Sequence, residues 1–321
     1  MIVSNRIKII FVFMIILVSQ VRAQYDPYFS HYFDLEPSFN PAAVGKESKL
    51  NIHAAYALNF AGFEKNPRTM YVAADMPLYF MKNFHGVGIQ LINDQLGLMK
   101  HQMISVQYAY KHRLLGGQIS IGLQAGMASE SFKGSELDLD DTESGTDNAL
   151  PTSDVTGNGM DLSAGVYYSK GNWYAGLSIT HITAPTITYS SSDNNINELK
   201  IDPTYYLTGG YNIKLRNPFL TIKPSVLVRT DGVSYRADIT GRLVYNHDKK
   251  LLYGGLAYSP TNSVTVLVGG NFHGVIIGYS YEVYTSAISV GNGSHELCIG
   301  YQTDINLMKK GKNLHKSVRI L

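Results

Sequence analysis

The sequence predicts an all-β fold, a transmembrane antiparallel β-barrel of about 14 strands with an amino-terminal periplasmic or plug segment. The first observation behind this is alternation. In Gln118–Met127, Ile119, Ile121, Leu123, Ala125 and Met127 share one face while Gln118, Ser120, Gly122, Gln124 and Gly126 share the other, because successive side chains of a strand point to opposite sides. A continuous apolar face backed by Gly, Ser and Gln fits lipid on one side and a cramped hydrated interior on the other. The second observation is that short and longer connections alternate along the chain. The third is that no apolar run is long enough to cross a bilayer as a helix, a task that takes roughly 20 residues.

Residues 1–23 read as a cleavable signal peptide, with a basic start at Arg6 and Lys8, an apolar stretch Ile9–Val18 and a small-residue exit at Ala23. Cleavage there leaves Gln24 first, and no cysteine lies nearby to carry lipid. Residues 24–48 are rich in Pro, Asn and aromatic residues and show neither helical nor strand period. They read as a segment crossing the periplasmic mouth or entering the lumen as a plug, or else as a loosely packed leader.

The barrel, residues 49–307, holds strands expected near Lys49–Asn59, Arg68–Leu78, Phe84–Asn93, His101–Arg113, Gly117–Ser131, Gly159–Tyr168 and Trp173–Ile182. Seven more are expected near Asp202–Ile213, Leu220–Thr230, Arg236–Tyr245, Leu251–Tyr258, Ser263–Phe272, Val275–Val283 and His295–Leu307. Two are weak: Pro224 gives up a ladder hydrogen bond in one, and the polar content of Arg236–Tyr245 blurs its alternation. Short connections fall at 79–83, 114–116, 169–172, 214–219, 246–250 and 273–274, while the long ones, 132–158 and 183–201, fall in the other set with 284–294. Short turns inside and longer loops outside are the outer-membrane pattern. A soluble β-sandwich or lectin-like domain would have to hide every apolar face and gives turn lengths no reason to alternate.

Aromatic residues gather near strand ends, among them Tyr79, Phe80, Phe84, Tyr167, Tyr168, Trp173, Tyr174, Tyr205, Tyr206, Phe272, Tyr279, Tyr281 and Tyr284. Such rings suit the two membrane boundaries, although tyrosine also simply favours strands. With residues 1–23 removed, 24 Lys and Arg face 25 Asp and Glu, which gives no indication of nucleic-acid binding.

Charge divides between the two ends. Glu136, Asp138, Asp140, Asp141, Glu143 and Asp147 crowd one outer loop. A calcium loop is one reading, but Glu143 stands where an EF-hand needs glycine, and a solvated loop is the other. Lys82, Arg113, Lys170, Lys214, Arg216, Lys249 and Lys250 lie by the short turns, and Lys309, Lys310, Lys312, Lys316 and Arg319 fill a basic tail, 308–321. These either dock an acidic periplasmic partner or keep the turns soluble.

No enzyme emerges. The ten histidines include no zinc-binding pair spaced along a helix. Ser294, His295 and Glu296 are adjacent, so their side chains alternate sides and form no relay. Gly86, Gly88 and Gly97 lack the lysine and helix of a phosphate loop. The single cysteine, Cys298, permits no internal disulfide and no cysteine-based metal cluster, and reads as a small buried strand residue. No catalytic, cofactor-binding or metal-ligating residue is therefore assigned, and no cofactor is expected.

An ordered set of landmarks spans nearly the whole chain after the signal peptide: QYDPYFSHYFDLEPSFNPAAVG (24–45), GVGIQLINDQLG (86–97), ISIGLQAG (119–126), YYLTGGYNI (205–213), IKPSVLVR (222–229), GYSYEVYTS (278–286) and GSHELCIGYQ (293–302). In this the chain resembles the PorP/SprF family of type IX secretion. The resemblance implies a Bacteroidetes outer-membrane barrel of the type IX secretion and gliding apparatus, without catalysis. Its implied partners are outer-membrane lipid, periplasmic and outer-membrane secretion components and a secreted surface adhesin. Family members tend to stop soon after the last strand on an aromatic residue, whereas this chain continues through Met308–Leu321. The competing function is a channel for small or hydrophobic solutes, porin-like or fatty-acid-transporter-like. Many inward positions are Gly, Ser, Thr or Gln, with Lys223 and Arg229 the cationic exceptions, rather than the rows of facing charges of a porin.

Overall fold

A computed structural model describes residues 26–136, 153–190, 196–248, 250–285 and 292–305. The signal peptide, Asp138 to Asp147 of the acidic loop, Lys249 and the basic tail lie outside the described residues. Fourteen strands form the wall: β1 (Lys49–Leu58), β2 (Arg68–Phe80), β3 (Asn83–Leu96), β4 (Met99–Leu114), β5 (Gly117–Lys133), β6 (Asp154–Lys170), β7 (Trp173–Thr180), β8 (Thr204–Tyr211), β9 (Leu220–Thr230), β10 (Tyr235–His247), β11 (Lys250–Ser259), β12 (Ser263–Phe272), β13 (Val275–Tyr284) and β14 (Ser294–Asp304). Each pairs antiparallel with its neighbour in sequence, and β14 returns to β1, placing Lys49 opposite Asp304 and Leu58 opposite His295. Closure leaves the wall formed by these 14 strands without an edge, the condition for a sheet to cross lipid with its backbone groups paired.

Side chains follow the expected parity. On β5, Leu123 is 62% exposed and Gln124 only 4%. The exposed face carries Ile104, Val106, Leu177, Leu256, Val268 and Ile299 around the barrel, a surface matched to hydrocarbon. Tyr79, Phe80, Trp173, Phe219 and Phe272 are exposed at the end with the short turns, and Tyr205, Tyr235 and Tyr258 at the end with the longer loops. Tyr167 and Tyr206, grouped by sequence with the boundary rings, instead face inward and are buried. Parity, not position near a strand end, decides which solvent a ring meets.

Strand lengths differ from the sequence expectation where polar ends continue the ladder. Lys133 of β5 pairs Asp154 of β6, so both strands extend further into the outer loop than alternation indicated. The connection 183–201, where the sequence predicts only loop, contains a hairpin, Thr186–Ser190 paired with Ile196–Lys200. Ile187 of this hairpin is fully buried with Ala128, Val155 and Ile201, so a tertiary contact stabilises a segment with weak local signal. Ile213–Lys214, expected at or beyond the end of β8, pairs instead with Thr221 and Ile222 at the start of β9. Pro224 does sit within β9, opposite Gly241 of β10.

Residues 26–48 fill the lumen. Two short 3-10 turns, Glu36–Ser38 and Pro41–Ala43, punctuate an otherwise irregular path. Phe29 and Leu35 pack with Ala55, Tyr71, Ile92 and Met103 on one side of the wall, and Tyr32, Phe33 and Phe39 pack with Tyr206, Leu227, Val244 and Leu267 on the other. The core of this barrel is thus its own amino-terminal segment, and burial of these rings offsets the entropy of ordering it. Glycines of the wall explain how it fits. A Cβ on Gly86 would lie 2.1 Å from the Val44 carbonyl oxygen, on Gly122 2.2 Å from the Ala42 nitrogen, and on Gly165 2.1 Å from Asn40 Oδ1. The inward face is cut to the shape of a peptide.

Candidate functional site

The contacts that fix this segment run the length of the lumen. At the loop end, Asp26 is buried against the ends of β7, β8 and β9. Its Oδ1 lies 2.6 Å from His181 Nε2, and its Oδ2 accepts from Tyr206 at 2.5 Å and from Thr180 at 2.9 Å. His181 Nδ1 in turn meets Asp161 Oδ1 at 3.0 Å. Burial alone would push the Asp26 carboxyl up, but the adjoining His181 charge and three hydrogen bonds outweigh it and hold the group well below the usual carboxylate range. Burial likewise opposes protonation of His181, and the two flanking carboxylates overcome it, raising the imidazole to about 10.

Below this latch, Tyr28 lies against two cations, with the Arg236 guanidinium 3.7 Å and that of Arg229 4.9 Å from its ring centre. Arg236 is held by Asp238 at 3.0 Å and Glu282 at 2.8 Å. Glu296 accepts from the backbone N–H of Ser30 at 2.6 Å and of His31 at 3.0 Å. At the turn end, Gly45 donates to Asp75 Oδ2 at 2.7 Å and its carbonyl accepts from Lys111. Lys46 pairs with Glu36 at 2.5 Å. Beside Asp26 the cavity is about 30 Å³, whereas at the turn end a cavity of about 560 Å³ opens beside Asp34, Glu47, Lys223, Asn271, Gln302 and Asp304. The lumen is therefore tight where the segment begins and roomy where it joins β1.

The residues singled out from sequence fall as follows. Ser294 and Glu296 face the lumen while His295 turns away to meet Tyr279 at 2.8 Å, so no relay forms. Lys223 and Arg229 do point inward, as the sequence predicts, but they are not the only cations there. Lys111, Arg236 and Arg242 join them, with Asp75, Asp161, Asp238, Glu282 and Glu296 also on the inner face. Strand parity carried that signal for Asp161, Asp238 and Glu282; partners outside the lumenal segment, His181 for the first, Arg236 and Ser259 for the second and Arg236 and Ser263 for the third, are what make charge tolerable there. Cys298 is buried as expected, yet its Sγ lies 3.5 Å from Glu296 Oε1 rather than among apolar groups alone. Glu136, from the acidic loop, pairs with Lys133 at 2.6 Å and Lys65 at 3.3 Å.

Among curated proteins none matches this sequence. Among solved structures, the barrel is similar to the CymD monoaromatic hydrocarbon channel, at 10% identity over 84% of this chain and 92% of that one, with a TM-score of 0.52. A Pseudomonas aeruginosa FadL homologue matches at 9% identity over 83% and 93% with a TM-score of 0.49. The P. putida toluene transporter TodX matches at 9% identity over 83% and 93% with a TM-score of 0.43. At such identity the likeness to CymD shows the barrel fold alone. The profile of one family, described as type IX secretion system membrane protein PorP/SprF, matches residues 21–301. Since that match runs from before the lumenal segment into the last strand of the closed wall, the chain belongs to the PorP/SprF family of type IX secretion system membrane proteins.

Proposed function

We propose that this protein is a non-catalytic outer-membrane component of the type IX secretion machinery, with a part in gliding, that contributes to secretion of cargo proteins or holds one at the cell surface. In this reading residues 1–23 are removed as a signal peptide, the short turns and the basic tail meet periplasmic components, and the loop end meets cargo such as a secreted adhesin. The observation that carries it is the packing of Asp26–Ser48 inside the wall, sealed at the loop end around Asp26. A barrel filled by its own chain offers fixed surfaces to partners and little room to a diffusing solute. An open, porin-like channel makes the opposite demand.

The test has two arms. Protein reconstituted in liposomes is assayed for small-solute flux, and detergent-solubilised outer membrane is used for pull-down with mass spectrometry. Co-purification of type IX components or a secreted adhesin with no flux above empty liposomes is expected. Flux at a porin-like rate without such partners overturns the proposal in favour of a conduit.

A further inference from the structure

We propose that His31, Glu296 and Cys298 form a binding site for a divalent transition-metal ion of the zinc class, which staples the lumenal segment to the wall. The inference stands on side-chain geometry and is independent of the secretion role. Glu296 and Cys298 are two residues apart on β14 and so share its inner face, while His31 arrives from the lumenal segment. One donor atom from each lies within 4.8 Å of the other two, and all three residues are buried. His31 Nδ1 is 2.7 Å and Cys298 Sγ 3.5 Å from Glu296 Oε1. Donors around a tetrahedral zinc stand roughly 3.3–3.8 Å apart, given bonds of about 2.0–2.3 Å. Small side-chain rotations therefore suffice.

Three further features fit. His31 Nε2 is buried without a hydrogen-bond partner, so the hydrogen bonding of the ring is all at Nδ1 and coordination there competes with no second side-chain bond. The residue opposite Cys298 on β13 is Gly278, and a Cβ there would come within 2.9 Å of His31 Nε2, so this part of the wall is cut back against the imidazole. The second carboxylate oxygen of Glu296 is oriented by the Ser30 N–H at 2.6 Å, as ligating carboxylates usually are by an outer hydrogen bond. A nitrogen, oxygen and sulfur set disfavours calcium and magnesium, which take oxygen, and suits zinc with water in the fourth position. Binding through Nδ1 replaces the His31–Glu296 hydrogen bond with shared coordination: the proton held in that bond passes to the ring's free Nε2, and the thiol proton of Cys298 is released to solvent.

The full chain, purified folded in detergent and stripped with chelator, is loaded with Co2+ and desalted. One Co2+ retained per chain, with a near-ultraviolet thiolate-to-cobalt charge-transfer band, is expected. Cys298→Ser abolishes the band, and His31→Gln weakens retention at least ten-fold, each checked for a folded barrel by heat-modifiable gel mobility. Should either variant fail to fold, the wild-type spectrum decides by itself. A folded wild type that retains no Co2+, or retains it without the thiolate band, overturns the proposal.

Discussion

Asp26 and His181 lie 155 positions apart in sequence and 2.6 Å apart in space. With Asp161 on the far side of the imidazole, they close the loop end of the lumen around the start of the described chain. Removing one partner leaves a buried charge uncompensated, which costs about 3–5 kcal/mol when such a pair is broken. His181→Ala should therefore lower the urea midpoint for release of the lumenal segment, read by limited proteolysis, while the wall keeps its heat-modifiable mobility. An unchanged midpoint would show that the latch contributes nothing.

The same pair sets a pH window. Asp26 is held low, so its contribution is present above its ordinary value of 3.8 and is lost as pH falls through the depressed folded value. His181 is raised, so its contribution is complete below 6.5 and declines as pH rises through about 10. Docking of the segment should be firmest between 3.8 and 6.5 and weaken progressively toward 10. Protease susceptibility of residues 26–48 measured across that range checks the sign: increasing protection on the alkaline side would contradict it.

Gly122→Val should displace the Pro41–Ala43 turn, because the added Cβ would lie 2.2 Å from the Ala42 nitrogen and 2.3 Å from the Pro41 carbonyl carbon. Both are backbone atoms and cannot swing aside, so the overpacking cost is about 1–3 kcal/mol or more. Thermal unfolding combined with single-channel recording should show lower stability and new conductance events. A silent variant would mean that the close approach is not maintained in the membrane.

Excising residues 26–47 should turn the filled barrel into a conducting one, since the rings and backbone that occupy the lumen are removed while β1 and its pairing with β14 are retained. Planar-bilayer conductance is the measurement. A correctly folded deletion variant as silent as the wild type would show that another part of the chain closes the lumen.

On the outside, Leu123→Lys should cost about 2–4 kcal/mol near the bilayer midplane, because Leu123 is 62% exposed on the apolar face. Unfolding from phospholipid vesicles gives the value. A cost near zero would place this face away from hydrocarbon.

The wall was legible because its information is local. Each strand states its own alternation, and Gly117 to Lys133 needs no knowledge of the rest of the chain to assign Leu123 outward and Gln124 inward. The hairpin at 186–200 was missed for the opposite reason: Ile187 is buried only because β5 and β6 stand beneath it. The charged inner wall is underestimated from sequence because the polar content of Arg236–Tyr245 blurs its alternation, and only the fold brings Tyr28, Asp238 and Glu282 around Arg236.

By itself, then, the sequence determined how many strands close the cylinder and which side chains meet oil, since a period of two fixes both along each short stretch of backbone. What fills that cylinder was decided only in three dimensions. The aperiodic stretch 26–48 has no register of its own, and its partners, such as Glu296 for His31 across 265 positions, become neighbours only once the last strand returns to the first.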